Sequence, residues 1–269
     1  MIKCGITGFN GNLGKTFITL NNKFNYIRFK GDIGKKKEVN NWIKKNNFDL
    51  LIHFAAIVPT STVNKRYKKA LSVNYLGTKY LVDAIIRYNK SIEWFFFAST
   101  SHVYPQKFYK ISEKHKTKPS SKYGKTKLLA EKYIEKNLKN TKTKFCLGRI
   151  FSIIDNKGSE FFLRGLLEKI KKNKKKIILD NLNHERDFLT TNQISKIILL
   201  LWKKKITGII NIGSGIKTNL KLIARVFATV AKKNIVFKFN NPTCQVANIS
   251  KLKKIGFKEK KLNFKRFFY

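Results

Sequence analysis

The 269-residue chain carries 58 lysines and arginines against 15 aspartates and glutamates, a formal net charge of +43, with 42% apolar residues. That length and apolar content suit one large α/β domain or a domain with a smaller appendage, and no apolar run approaches the ~20 residues that span a bilayer, so no membrane partner is expected. The charge suggests nucleic acid, but only eight of the basic residues are arginine, the residue that grips phosphate bidentately, so specific nucleic-acid binding is not expected either.

Apolar residues 2–7 predict a first strand with no secretory leader ahead of it, and residues 13–20 a first helix. The turn between them reads Thr7-Gly8-Phe9-Asn10-Gly11-Asn12-Leu13-Gly14. Three glycines spaced by three let a dinucleotide pyrophosphate approach backbone N–H groups, with the positive end of the helix facing it. Gly14-Lys15-Thr16 mimics the end of a triphosphate loop, but that motif needs glycine at position 9, which holds Phe9. Strands at 26–29, 50–54, 94–99 and 144–150 alternate with helices at 35–46, 71–88 and 121–138. This alternation predicts an α/β fold, a Rossmann-type doubly wound parallel sheet.

After residue 151 the pattern loosens. A helix at 161–172, a lysine tract, strands at 177–179 and 187–191, a helix at 194–202 and a strand at 208–212 are expected; the tail from 235 is mixed. The predicted division is a dinucleotide-binding domain over 1–152, with a return segment near 203–232. A small mixed cap covers 153–202 and 233–269. Cys4, Cys146 and Cys244 are scattered, with no metal or redox spacing. No metal is expected, and a reducing cytoplasm fits.

Tyr123 and Lys127 stand one helical turn apart and share a face. A phenol titrating near 10 is a poor base at neutral pH. A neighbouring ammonium, with an oxidised nicotinamide ring, favours the phenolate, and the pair can move a proton at a carbinol or carbonyl oxygen. Thr100, at the end of the 94–99 strand, is placed to hold a substrate oxygen against Tyr123. His102 follows on the same loop, where a lone histidine is more often solvated or structural than an acid.

Together these segments resemble the extended short-chain dehydrogenase/reductases, in the NAD-dependent epimerase/dehydratase branch that acts on nucleotide sugars. The glycine turn resembles the cofactor loop, His53-Phe54-Ala55-Ala56 the motif beside it, and Val73-Asn74-x-x-Gly77-Thr78 the mid-domain helix motif. Phe97-x-Ser99-Thr100-x-x-Val103-Tyr104 is similar to the loop carrying the catalytic hydroxyl, and Tyr123-Gly124-Lys125-Thr126-Lys127 to the catalytic pair. Arg186-Asp187-Phe188 and Asn211-Ile212-Gly213-Ser214-Gly215 resemble cap and return segments.

The resemblance implies Tyr123 as general acid/base, Lys127 as its activator and ribose ligand, and Thr100 orienting the sugar oxygen. It implies cofactor contacts from Gly8, Asn10, Gly11, Asn12, Leu13, Gly14, Asp32, Ile33, Phe54, Ala55, Ala56 and Asn74. Substrate contacts fall to Ser101, His102 and Arg186, the last on a phosphate of a nucleotide-diphosphate sugar. It also implies a homodimer pairing helices 71–88 and 121–138. Where 4,6-dehydratases place an Asp-Glu pair, this chain has Ser101 and His102, and Pro105 stands where many epimerases have glycine. The expectation is therefore a 4-keto-sugar reductase or reductase/epimerase, with a 4-epimerase of the same family as the alternative. A non-catalytic protein of this fold binding RNA or another polyanion is the alternative from another class. Arg28 and Lys30 at the end of the second strand favour NADP over NAD, since a carboxylate there would select the unphosphorylated ribose.

Overall fold

A computed structural model describes residues 1–58, 60–88, 90, 92–154, 162–172, 177–180, 182–239 and 241–267. The lysine tract at 173–176 lies outside the described residues. In chain order the first elements are β1 (Lys3–Thr7), α1 (Asn12–Leu20), β2 (Asn25–Arg28), α2 (Lys36–Lys45) and β3 (Leu50–His53). Then come α3 (Thr60–Lys65), α4 (Tyr67–Leu71), a π-helical turn at Ser72–Leu76, α5 (Gly77–Arg87), β4 (Trp94–Thr100), α6 (Lys122–Leu138) and β5 (Lys144–Ile150). The rest comprises β6 (Ser152–Ile154), α7 (Phe162–Lys172), β7 (Ile177–Leu179), β8 (His184–Arg186), β9 (Phe188–Thr190), α8 (Thr191–Lys203) and β10 (Gly208–Ile212). It ends with β11 (Thr218–Asn219), α9 (Leu220–Val230), β12 (Ile235–Phe237), β13 (Thr243–Gln245) and α10 (Ser250–Lys254).

Contacts divide the chain into two compact units. One holds Met1–Pro105, Lys116–Ile150 and Asn192–Ile210; the other holds Gln106–His115, Phe151–Thr191 and Asn211–Tyr269.

The main sheet has the order β10-β5-β4-β3-β1-β2. β1 runs parallel to β2 and β3, β3 to β4, and β4 to β5. Strand addition reverses between β1 and β3. In open α/β sheets that reversal leaves a crevice at the carboxyl ends of the strands, where ligands bind. β4 is apolar on both faces because helices cover both. Phe95 and Phe97 pack with Val39, Leu81 and Ile134 on one side. On the other, Phe96 meets Phe54 edge-on and stacks near Trp94, whose Nε1 donates to the Ile206 carbonyl at 2.7 Å.

Two differences from the sequence expectation have physical causes. The strand expected at 187–191 is β9, and a further strand that was not expected, β8, precedes it. The break falls at Asp187, whose buried carboxylate accepts from the backbone of Ser214 (2.6 Å), Gly215 (2.9 Å) and Ala247 (3.1 Å). Helix α9 has no counterpart among the expected elements. Its Leu220, Ile223, Ala224 and Phe227 form the centre of the second unit's core, with Leu179 and Phe188. Among the described residues no helix is long and apolar enough to cross a membrane.

Candidate active site

The turn after β1 has the form a dinucleotide needs. Gly8 sits at φ +70°, and a Cβ there would lie 2.5 Å from the Ala55 nitrogen, so a side chain would push the loop off the end of β3. Gly14 packs the first turn of α1 on the same loop, with its absent Cβ only 2.7 Å from Phe9 Cα. Gly11 donates to the Gly8 carbonyl at 3.1 Å and opens α1, which no side chain caps. A Cβ on Gly11 would meet just that carbonyl, at 3.4 Å. The outer side of the loop at Gly11 is therefore open beside the start of α1, which fits a pyrophosphate. Asn10 and Gly11 are exposed; Asn12 and Leu13 are half-buried.

A directed run of hydrogen bonds lies behind the loop. Ala55 N donates to Thr7 Oγ1 (3.2 Å), which contacts His53 Nδ1 (2.6 Å). His53 Nε2 contacts Thr78 Oγ1 (2.9 Å), which donates to the Asn74 carbonyl (3.0 Å). Thr78 has spent its proton on Asn74, so it accepts from Nε2–H. Nδ1 then accepts from Thr7, which fixes one neutral tautomer. Burial, with the charge of Lys127, holds His53 well below the usual histidine range. Asn74 is fully buried; its amide pairs with Ile57 N (2.8 Å), Ile57 O (3.0 Å) and Thr126 Oγ1 (3.1 Å). The π-helical turn that carries Asn74 widens the helix at that point. Asp32 gives its carboxylate to Gly34 N and Lys69 Nζ, each at 2.9 Å, and Ile33 is buried against Gly77. Phe54 packs edge-on against Phe17, while Ala55 and Ala56 stay half-buried.

β4 and α6 bring Thr100, Tyr123 and Lys127 together. Ser121 caps α6, accepting from Gly124 N at 3.0 Å. Burial pushes the Tyr123 phenol up to about 12, partly offset by a hydrogen bond with the Thr100 hydroxyl. In the protein alone burial thus outweighs the lowering expected from Lys127, and the phenol is protonated at neutral pH. Lys127 is fully buried, with Nζ 3.8 Å from the centroid of the Phe97 ring. Burial brings its ammonium down to about 7, and the charge of Glu131 pulls the other way. Ser101 is buried in a single 3₁₀ turn, Ser101–Val103. His102 is exposed; its ring meets Tyr123 edge-on at 5.7 Å and its N–H donates to Thr100 Oγ1 at 3.3 Å. Arg186 belongs to the second unit, on β8, where it donates to the Thr243 hydroxyl at 2.9 Å and to the Glu185 carbonyl at 2.9 Å.

Residues 6–213 match the family described as NAD dependent epimerase/dehydratase family. The chain belongs to that family. Among relatives of this epimerase/dehydratase chain, the human dTDP-D-glucose 4,6-dehydratase is 25% identical over 222 residues, covering 81% of this chain and 63% of that protein. The GDP-6-deoxy-D-talose 4-dehydrogenase of Aggregatibacter actinomycetemcomitans is 25% identical over 249 residues, covering 89% and 83%. The chain spans about six-tenths of the length of the first curated relatives it matches. The fold is that of RMD from Pseudomonas aeruginosa, solved with NADPH, at a TM-score of 0.88 and 18% identity over 100% of this chain and 96% of that one.

Sequence reasoning passed over one cluster next to Tyr123 and Lys127. Glu131, one further turn along α6, forms a buried ion pair with Arg149 of β5, Arg149 Nη2 to Glu131 Oε2 at 2.7 Å. The signal was present: an arginine inside the apolar strand Lys144–Ile150 demands a buried counter-charge.

Proposed function

We propose that this chain is an NAD(P)-dependent oxidoreductase of nucleotide-diphosphate sugars, a 4-keto-sugar reductase or reductase/epimerase acting at C4. The observation that carries this reading is the Thr100 hydroxyl bonded to a buried Tyr123 phenol, with buried Lys127 one turn on. The glycine turn that fits a pyrophosphate belongs to the same unit.

A bound nicotinamide supplies or takes the hydride. Tyr123 donates its proton to the sugar oxygen as the carbonyl becomes an alcohol, and recovers it in the reverse direction. A phenol held near 12 is fully protonated at neutral pH, which suits the reductive direction. Thr100 fixes the oxygen and the phenol together, and Lys127 stabilises the phenolate left behind and holds a ribose hydroxyl. Ser101 and His102 are assigned to the sugar, and Arg186 to a substrate phosphate. With serine and histidine at 101 and 102, no carboxylate stands there to eliminate water. The relative that is a 4-dehydrogenase of a GDP-sugar, matched over most of its length, supports chemistry at C4. NADP is the favoured cofactor, because Arg28 ends β2 with its guanidinium 5.7 Å from the Phe9 ring of the glycine turn. A cytoplasmic homodimer completes the reading.

Tyr123→Phe and Lys127→Ala test it. Each should lower kcat on a competent nucleotide sugar by about a hundredfold or more. Wild-type turnover in either variant defeats the assignment. Net consumption of NADPH per sugar separates the reductase from a 4-epimerase, which returns the hydride within one cycle.

A further inference from the structure

Glu131 is fully buried and all of its hydrogen-bonding capacity faces two neighbours. Arg149 donates through Nε to Oε1 at 3.0 Å and through Nη2 to Oε2 at 2.7 Å, and the Ser99 hydroxyl donates to Oε1. The guanidinium lies 4.7 Å from the Tyr104 ring centroid. One carboxylate therefore ties together three pieces of the main unit. Ser99 immediately precedes Thr100 at the end of β4. Arg149 is on β5. Glu131 is one turn beyond Lys127 on α6.

We infer that Glu131 is a positioning residue: through Ser99 and Arg149 it sets the spacing of Thr100, Tyr123 and Lys127, and it places a buried carboxylate one helical turn from Lys127. This rests on the proposed roles of those three residues. A carboxylate kept buried only for stability has no evident advantage, since a buried ion pair is on average no more stabilising than packed apolar residues. Here it reaches from the helix that carries Tyr123 and Lys127 to the strand that ends in Thr100.

The charges around Lys127 are few. Tyr123 and Glu131 share its helix, and Glu135, one more turn along, couples to both Glu131 and Arg149. His53 reaches it from β3 and is held neutral. Arg149, stacked on Tyr104, stands behind Glu131 from β5. Glu131 is the group that raises Lys127 against burial. Replacing it by a neutral side chain removes that support and also uncovers Arg149, so both changes push Lys127 toward the free amine.

The experiment follows the ε-carbon resonance of Lys127 by NMR in the substrate-free protein, identified by its loss in Lys127→Met. In wild type it titrates near neutrality, apart from the surface lysines. In Glu131→Gln the midpoint should fall by about one pH unit or more, and kcat should fall about tenfold or more with KM little changed. An unmoved midpoint overturns the inference. If Glu131→Gln fails to fold, the pair Glu131→Leu/Arg149→Met decides. It removes the carboxylate that raises Lys127, so the Lys127 midpoint should again fall, and kcat should fall because Ser99 has lost its anchor; an unmoved midpoint or wild-type kcat there overturns the inference. The titration needs no substrate. A protein that turns over no nucleotide sugar would defeat the functional reading while leaving this result to stand or fall by itself.

Discussion

The Thr100 hydroxyl, on the last residue of β4, hydrogen-bonds the Tyr123 phenol in the first turn of α6. Valine has nearly the shape of threonine and lacks the hydroxyl. Thr100→Val should lower kcat by about ten- to a hundredfold, the range for a lost transition-state hydrogen bond. The melting temperature should stay within a few degrees of wild type, because the strand remains buried and paired to β5. Steady-state kinetics beside a thermal melt check this; unchanged kcat would mean the hydroxyl is idle.

Gly124 separates that strand end from the helix by the least possible thickness. A Cβ there would run into the His102 carbonyl, 2.9 Å from its carbon. Gly124→Ala should displace Ser101–Val103 from Tyr123 and cost about 1–3 kcal/mol, the usual range for overpacking. Activity should fall more than stability. A variant with full activity and an unshifted melt would show that the loop yields freely.

Lys127 gives a pH dependence with a definite sign. Its ammonium is lowered to about 7 by burial, whereas an unfolded lysine titrates at 10.5. Between those values the unfolded chain binds more protons, so this group adds stability as pH rises from 7 toward 10.5 and withholds it below 7. Lys127→Met, which cannot titrate, should melt above wild type at pH 6, with the gap closing as pH approaches 10. Melts across that range measure it; a gap independent of pH would refute the assignment.

Arg28, stacked near Phe9, is the arginine at the end of β2. Arg28→Ala should raise KM for NADPH by about tenfold or more, the scale of a lost charge-assisted phosphate contact, and leave KM for NADH nearly unchanged. Equal effects on both cofactors would remove Arg28 from the choice between them.

The first half of the chain was legible because its signals are local. Continuous apolar strands, three glycines in one turn and a tyrosine–lysine pair at helical spacing each announce themselves within a few residues. The pairing of Glu131 with Arg149 joins residues on different elements and becomes visible when β5 lies beside β4. The π-helical turn at Ser72–Leu76 is similar: the apolar period looks helical throughout, and it is Asn74, turned to grip both Ile57 backbone groups, that marks the widening. Helix α9 was hidden by its setting. Its apolar face meets short strands and the tail, Leu179, Phe188 and Phe264 among them, rather than a long regular sheet.

Every proton in the run from Ala55 through Thr7, His53 and Thr78 to Asn74 points the same way. The imidazole therefore has no vacant acceptor to offer an extra proton. As the surroundings acidify below 6.5 the unfolded histidine charges and this one resists, so the folded form loses ground with each step downward. Mild acid becomes a lever on the seam between the glycine turn and the helix that carries Thr78.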